Sequence, residues 1–309
     1  MMSSRPSSSR KPRVADLLPL VTLVGAAWDD YGLVDSGGGR KLERYGRYRF
    51  IRPEPQAMWA PALPESEWAA ADGEFVPASD EDGGGRWYFH KPVPAEGWPL
   101  AWREARFTAS CTPFRHLGFF PDMAPVWDWL RERIADRPDP AFLNLFGYTG
   151  VGSQALAAAG ASVTHVDASK KSVAQARDNA ALAGMADKPV RWLVDDAGKF
   201  TAREVRRGRR YDAILLDPPK FGRGPNNERW QIEEGLAPLL ADCRQLLDAD
   251  SRALFLTVYA VRMSALAIGE LLAQLFADLP GRVECGELAV REEARGLLLP
   301  TAIFARWSR

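Results

Sequence analysis

The sequence predicts an α/β protein: a mostly parallel, doubly wound sheet with helices on both faces, preceded by a smaller β-rich domain. Three observations carry this. From residue 141 onward, short apolar runs alternate with helical stretches, the β-α-β order that builds a parallel sheet. Residues 14–110 instead hold short apolar and aromatic runs broken by Gly and Pro, a turn-rich β composition. The length, 309 residues, suits about two domains.

Composition narrows the class. Hydrophobic residues make up 46% and charged residues 26%, enough for a sizeable core. Lys plus Arg number 40 and Asp plus Glu number 40. No whole-molecule field therefore announces nucleic acid, although local patches stay open. Cys111, Cys243 and Cys285 lie far apart with no Cys-x-x-Cys. That argues against a disulfide framework or a zinc site, and no metal is expected. The basic start has no long apolar stretch behind it, and no run approaches the roughly 18 apolar residues of a membrane span. The expectation is a soluble, cytoplasmic protein without membrane contact; its oligomeric state is left open.

Taken in order, residues 1–13 are Ser, Arg, Lys and Pro with little to bury and read as a disordered basic tail. Residues 14–110 form the β-rich domain, rich in tryptophan: Trp28, Trp59, Trp68, Trp87, Trp98 and Trp102. These suit a small aromatic core; a base-stacking platform is the sharper alternative. Residues 123–135 predict an amphipathic helix, with Val126, Leu130 and Ile134 four apart. The third segment, 111–309, carries the alternation. Strand 141–146 leads to a helix over 151–159 closed by Gly160. Strand 161–168 leads to a helix over 170–183 closed by Gly184. Strands 190–196 and 211–217 follow, then a helix over 231–248 and a strand over 252–258.

In such a sheet ligands bind beyond the carboxyl ends of the strands, so the strand ends hold the candidates. The first ends in Asn144-Leu145-Phe146-Gly147-Tyr148-Thr149-Gly150-Val151-Gly152. Its glycines let the backbone turn tightly, and the next helix points free N–H groups at a ligand. The second ends in Asp167-Ala168-Ser169, and an acid there suits a ribose diol. Both features fit NAD as well as S-adenosylmethionine. The third ends in Asp195-Asp196, where a carboxylate can accept from an adenine amino group or, at Asp195, cap a helix. The fourth ends in Asp217-Pro218-Pro219-Lys220-Phe221. Two prolines fix their own φ and force the residue before them into extended backbone. The result is a stiff exit whose carbonyls are free to accept beside the Asp217 carboxylate. Either it only ends a strand, or it meets a flat amine or nucleobase edge.

These four strand ends, in this order, resemble the class I S-adenosylmethionine-dependent methyltransferases. More narrowly, "NLFGYTGVG", "THVDAS" and "LLDPPKF" are similar to the branch containing bacterial large-subunit ribosomal RNA methyltransferases of cytosine-C5 specificity. "FRHLGFFPDM" at 114–123 resembles that branch's cofactor-covering segment. The resemblance covers about residues 107–307. It implies a Rossmann-like seven-stranded methyltransferase sheet. It also implies that Asn144, Phe146, Gly147, Tyr148, Thr149 and Gly150 cradle the methionine end of S-adenosyl-L-methionine. By the same likeness Asp167 would hold the ribose, with Ala168 and Ser169 under the adenine, and Asp196 or Asp195 would accept from the adenine amino group. Phe119 and Phe120 would cap the cofactor unless they are ordinary core. Asp217, Pro218, Pro219 and Lys220 would form the catalytic wall, Asp217 also lying near the methionine amino group of the cofactor, with Phe221 and Tyr259 toward the substrate.

The chain departs from that branch in one respect. Cytosine-C5 chemistry uses a thiolate to attack C6, and the branch presents a Cys after the fifth strand. Here that position reads Leu256-Thr257-Val258-Tyr259. Direct transfer, which needs mostly positioning, is expected instead. RNA, ribosomal RNA favoured, is the substrate that the resemblance implies. The alternatives are a protein or small-molecule acceptor, an NAD(P)-dependent oxidoreductase, and an inactive cofactor-binding protein associated with RNA. Two basic stretches qualify as nucleic-acid contacts, "REVRRGRR" at 203–210 and the aromatic-interleaved "RKLERYGRYRFIRPE" at 40–54. The first reads better as a solvated face.

Overall fold

The computed structural model describes residues 18–78, 84–259 and 261–309. The basic tail expected at 1–13 lies outside the described residues. The chain opens with β1 (Leu20–Gly25), then β2 (Tyr31–Gly37), β3 (Arg40–Tyr45), β4 (Tyr48–Pro53), a one-turn α1 (Glu65–Ala69), β5 (Gly73–Pro77), β6 (Gly85–Phe89), β7 (Trp98–Trp102) and β8 (Ala105–Ala109). A 3-10 turn (Pro121–Met123) leads into α2 (Ala124–Ile134), β9 (Ala141–Leu145), α3 (Val151–Ala158), β10 (Ser162–Asp167), α4 (Lys170–Leu182), β11 (Val190–Val194), α5 (Ala197–Arg206) and β12 (Ala213–Leu216). A short hairpin, β13 (Phe221–Arg223) and β14 (Arg229–Gln231), precedes α6 (Ile232–Gln245), β15 (Ala253–Val258), α7 (Ala265–Leu275), β16 (Arg282–Arg291) and β17 (Leu298–Ser308).

The expected α/β architecture is present. One large sheet has the order β1-β16-β17-β15-β12-β9-β10-β11. β9 to β12 and β15 run parallel, and β17 is antiparallel to both its neighbours. The sheet has eight strands where seven were expected. The extra one is β1, an apolar run that pairs in parallel along the outer edge of β16, Leu20 opposite Cys285. Residues 20–25, on the N-terminal side of residue 110, thus lie in the large sheet.

Period-two alternation sends the central strands' side chains to two cores. Leu143, Leu145, Ile214, Leu216, Leu254 and Leu256 pack with α5, α6 and α7. Phe142, Val163, Leu215 and Phe255 face the other way, toward α2, α3 and the β-rich region. Helix ends follow local chemistry. Ser169, Asp196 and Ser264 accept backbone N–H groups at the starts of α4, α5 and α7, and Gly160 and Gly184 take positive φ just past α3 and α4.

β2 to β6 form a five-stranded sheet and β7–β8 a hairpin. The tryptophans here are core: Trp68, Trp98 and Trp102 are buried, and Trp28, Trp59 and Trp87 pack against buried neighbours. The "RKLERYGRYRFIRPE" stretch is the β3–β4 hairpin; its Arg52 and Glu43 turn inward, Arg40, Arg44 and Arg49 are engaged at the surface, and Arg47 is exposed. Arg52 donates to Glu43 at 2.6 and 2.8 Å and to the Tyr45 hydroxyl. Arg44 donates to the Asp29 carbonyl, and Arg49 pairs with Glu67. In "REVRRGRR", Arg203 pairs with Asp195 and Arg207 with Glu204, while Arg206, Arg209 and Arg210 are exposed ahead of the amino end of β12.

Candidate functional site

β9 lies between β12 and β10. The chain builds outward from β9 to β11, then crosses back to lay down β12 and β15. That reversal opens a crevice at the carboxyl ends of the central strands. The crevice is walled by the turn after β9, by Phe119 and Phe120, and by Leu215 and Asp217.

The turn is held in an uncommon conformation. Phe146 and Tyr148 have φ of 58° and 48°, a region that non-glycine residues rarely occupy. Gly147 N–H donates to the Val166 carbonyl at 3.1 Å, Tyr148 N–H donates to Asp167 Oδ2 at 2.9 Å, and the Thr149 hydroxyl donates to the Gly118 carbonyl at 2.6 Å. A Cβ on Gly147 would stand 2.5 Å from the His165 ring. Beneath it, Asn144 Nδ2 donates to Ser153 Oγ, which lies 2.9 Å from His165 Nδ1. Burial pushes the His165 imidazole down to about 3, so this support stays neutral. Gly150 is the N-cap of α3, and no side chain caps that end. The first amides of α3 are therefore left for a ligand.

Asp217 follows β12 and faces the crevice. Burial pushes its carboxyl up; the Thr257 hydroxyl at 2.5 Å opposes this and Asp122 adds to it, leaving it at about 7. Asp122, itself raised by burial, accepts from the Tyr259 hydroxyl at 3.1 Å. Tyr259 also packs on Phe120, ring centroids 5.7 Å apart. Phe120 and Asp122 are thus tied to the residue that follows β15, beside the crevice.

Other candidates sit differently from the sequence expectation. Phe119 is a core residue, 4.5 Å from Phe107 and 5.8 Å from Tyr45 between ring centroids, with an edge on the crevice. Pro218 is buried. The Pro219 carbonyl is not free: Trp230 Nε1 donates to it at 2.7 Å, because the β13–β14 hairpin folds back onto the strand exit. Lys220 and Phe221 are exposed, with Lys220 Nζ 5.1 Å from the Phe221 ring centroid. The Asp167 carboxylate already accepts from two backbone N–H groups, Tyr148 and Ser169, and the Ser169 hydroxyl caps α4. Ala168 between them is half-buried. At the end of β11, Asp196 rather than Asp195 is the helix cap, accepting from Lys199 N–H at 2.9 Å; Asp195 is held by Arg203 and by the Asp196 N–H. Cys243 and Cys285 are buried, and burial pushes the half-buried Cys111 thiol up to about 12.

Asp122, Thr257, Trp230 and Trp127 were missed in the sequence. A signal existed for Thr257: β12 and β15 pair with Leu215 opposite Phe255, so two residues further Asp217 meets Thr257.

Comparison with known proteins then decides the family. The profile described as S-adenosylmethionine-dependent methyltransferase matches residues 58–237, more than half of the chain. The chain belongs to that family. A crystal structure of a SAM-dependent methyltransferase from Agrobacterium tumefaciens is 44% identical, covers 94% of this chain and 95% of that one, and superposes with a TM-score of 0.88. Among curated proteins, the ribosomal RNA large subunit methyltransferase K/L of Pseudomonas aeruginosa is 28% identical over 60% of this chain and 24% of its own length. The ribosomal RNA large subunit methyltransferase I of Shewanella denitrificans is 41% identical over 26% of this chain and 20% of its own length. The matches thus span about a quarter or less of these curated relatives.

Family membership removes the oxidoreductase alternative and names the cofactor, S-adenosylmethionine. The methyltransferase's residues fit it. Gly147, Gly150 and Gly152 let the turn and the start of α3 pack directly on His165, Ala176 and Trp127, which shapes the crevice wall; the uncapped start of α3 offers amides to an anionic end, and Asp167 stands one strand over from the turn. Among the described residues, no helix is long and apolar enough to cross a membrane.

Proposed function

We propose that this methyltransferase methylates a nitrogen of an RNA acceptor, ribosomal RNA favoured, by direct transfer without a cysteine. One observation carries the reading: the crevice-facing carboxyl of Asp217 is poised at about 7, where it can take up a proton. When bound, S-adenosylmethionine supplies a methyl group activated by its sulfonium. An acceptor nitrogen that takes that methyl group would shed its proton to Asp217. Thr257 holds that carboxylate in place, and Pro218 stiffens its backbone. Phe120, tied to Tyr259, closes the crevice against water.

The other assignments follow the same frame. Asn144, Phe146, Gly147, Tyr148, Thr149 and Gly150 cradle the methionine end, Asp167 takes the ribose, and Asp196 takes the adenine amino group with its second carboxylate oxygen. Lys220 and Phe221, exposed beside Asp217 in the chain, meet the acceptor, with phosphate and base contacts respectively. The β-rich domain, built by β2 to β8 within the expected residues 14–110, forms the acceptor side; the packing of Phe119 on Tyr45 and Phe107 carries its core to the crevice. The RNA reading is supported by the names of the curated relatives. The cysteine-free step is supported by the thiols, none of which lines the crevice.

Mass spectrometry of modified nucleosides tests this. RNA from cells lacking the protein should lose one N-methylated nucleoside, restored by the wild-type gene and not by Asp217→Ala. Unchanged ribosomal and transfer RNA nucleosides would sink the RNA acceptor. Loss of a C-methylated nucleoside would sink the direct mechanism.

A further inference from the structure

The crevice wall holds a donor that the protein leaves unused. Trp127, on α2, is only 4% exposed, and its ring packs at 70° against Trp102 with centroids 5.0 Å apart. The side chain lines the crevice. Its Nε1 lies 2.9 Å from where a Cβ on Gly152 would stand. Six other tryptophans give their indole N–H to an acceptor: Trp28, Trp59, Trp68, Trp87, Trp98 and Trp230. Trp129 and Trp307 lack one, but their N–H groups are sealed inside the core. Trp127 shows no acceptor among the described residues; Trp102 and Trp192 show none either, but of these three only Trp127 lines the crevice.

Gly152 is where two donor sets meet. Its own amide belongs to the uncapped first turn of α3, and the indole N–H of Trp127 lies against its Cα. An N-terminal helix turn favours negative charge. No Lys, Arg or His lines this crevice among the described residues, and its one carboxylate is Asp217. An anion here is therefore held by neutral N–H donors and the helix end, not by a countercharge. The methionine carboxylate is the anionic group that S-adenosylmethionine brings. We infer that Trp127 Nε1 donates to that carboxylate, making Trp127 a cofactor-binding residue that selects for the amino-acid end of the molecule. The absence of a Cβ at Gly152 lets the indole come this close. The inference rests on the crevice being the cofactor site and is independent of the RNA acceptor.

Calorimetry on the full chain with two ligands tests it. S-adenosylhomocysteine carries the carboxylate; its decarboxylated analogue, S-adenosyl-3-thiopropylamine, does not. Trp127→Phe should weaken the first by roughly ten- to hundredfold, the range for a hydrogen bond to a charged group, and leave the second unchanged. Equal loss for both ligands, or no loss, overturns the inference while the cofactor site stands. A wild-type protein that binds neither ligand overturns the site as well. Should the variant fail to fold, the wild-type indole ¹⁵N–¹H spectrum decides. The Trp127 resonance should move downfield with S-adenosylhomocysteine and not with the amine analogue; the same response to both refutes the hydrogen bond.

Discussion

Thr257 donates its hydroxyl to Asp217 at 2.5 Å across the ends of two paired strands, and this contact opposes the burial that raises the carboxyl. A hydrogen bond to the charged form favours ionisation. Thr257→Val keeps the shape and removes the donor. The pH midpoint on the acid limb of kcat/KM should rise by roughly one unit, given the usual strength of such bonds. An unshifted profile would mean that Thr257 does not tune Asp217.

Asp217→Asn should lower turnover by roughly a hundredfold or more, the usual contribution of a general base, and should also change stability in a set direction. The folded carboxyl sits at about 7, above its unfolded value, so it binds protons more readily in the native state. Its contribution is fully present below about pH 4 and is lost as pH rises through about 7. The variant should escape that loss. Urea melts should show it gaining on the wild type from pH 4 to pH 8; a parallel pair of curves would contradict the raised carboxyl.

Gly147→Ala places a methyl group 2.5 Å from the buried His165 ring. It should cost about 1–3 kcal/mol of stability and abolish measurable S-adenosylhomocysteine binding. Gly160→Ala is the control. Its φ is 94° but nothing lies within 4 Å of the added carbon, so it should cost stability and leave affinity alone.

Tyr259→Phe leaves Asp122 without the phenol donor at 3.1 Å. The covering segment should loosen by about 1 kcal/mol, the net worth of one ordinary hydrogen bond, because Asp122 keeps its bond with Thr301. Hydrogen exchange should show faster amides over residues 117–123, together with a raised KM for S-adenosylmethionine. Protection equal to wild type would remove the latch.

Cys111→Ala should keep activity within about twofold, because a thiol held near 12 supplies almost no thiolate at neutral pH. Loss of activity with the fold intact would bring a covalent step back into consideration.

Much of this was legible in the sequence because strand ends announce themselves. Gly147 and Gly150 mark the turn after β9, and the two prolines mark the exit of β12. Boundaries also held where one residue decides them: Gly160 and Gly184 stop α3 and α4 through positive φ. Less legible were features set by neighbours distant in the chain. Nothing near Pro219 says that Trp230 will occupy its carbonyl. Adjacent acids at Asp195 and Asp196 are equivalent until the first turn of α5 forms and selects Asp196 as its cap. The arginines of β3 and β4 look like a nucleic-acid surface until Glu43, Glu65 and Glu67 come beside them. Trp127 resembles any other core tryptophan in a helix pattern, and only the approach of Gly152 shows where its N–H is left.

The pairing of Leu20 with Cys285 dictates an order of events during synthesis. β1 is made before β2 to β15, and its partner β16 follows only after all of them. An apolar strand must then wait, unpaired, through some 260 residues of elongation. Meanwhile β2 to β8, whose partners lie close in sequence, can assemble at once. The small sheet is therefore a looped-out insertion in the large one, anchored at both ends, and the outer edge can close only once β16 has joined β1 across it.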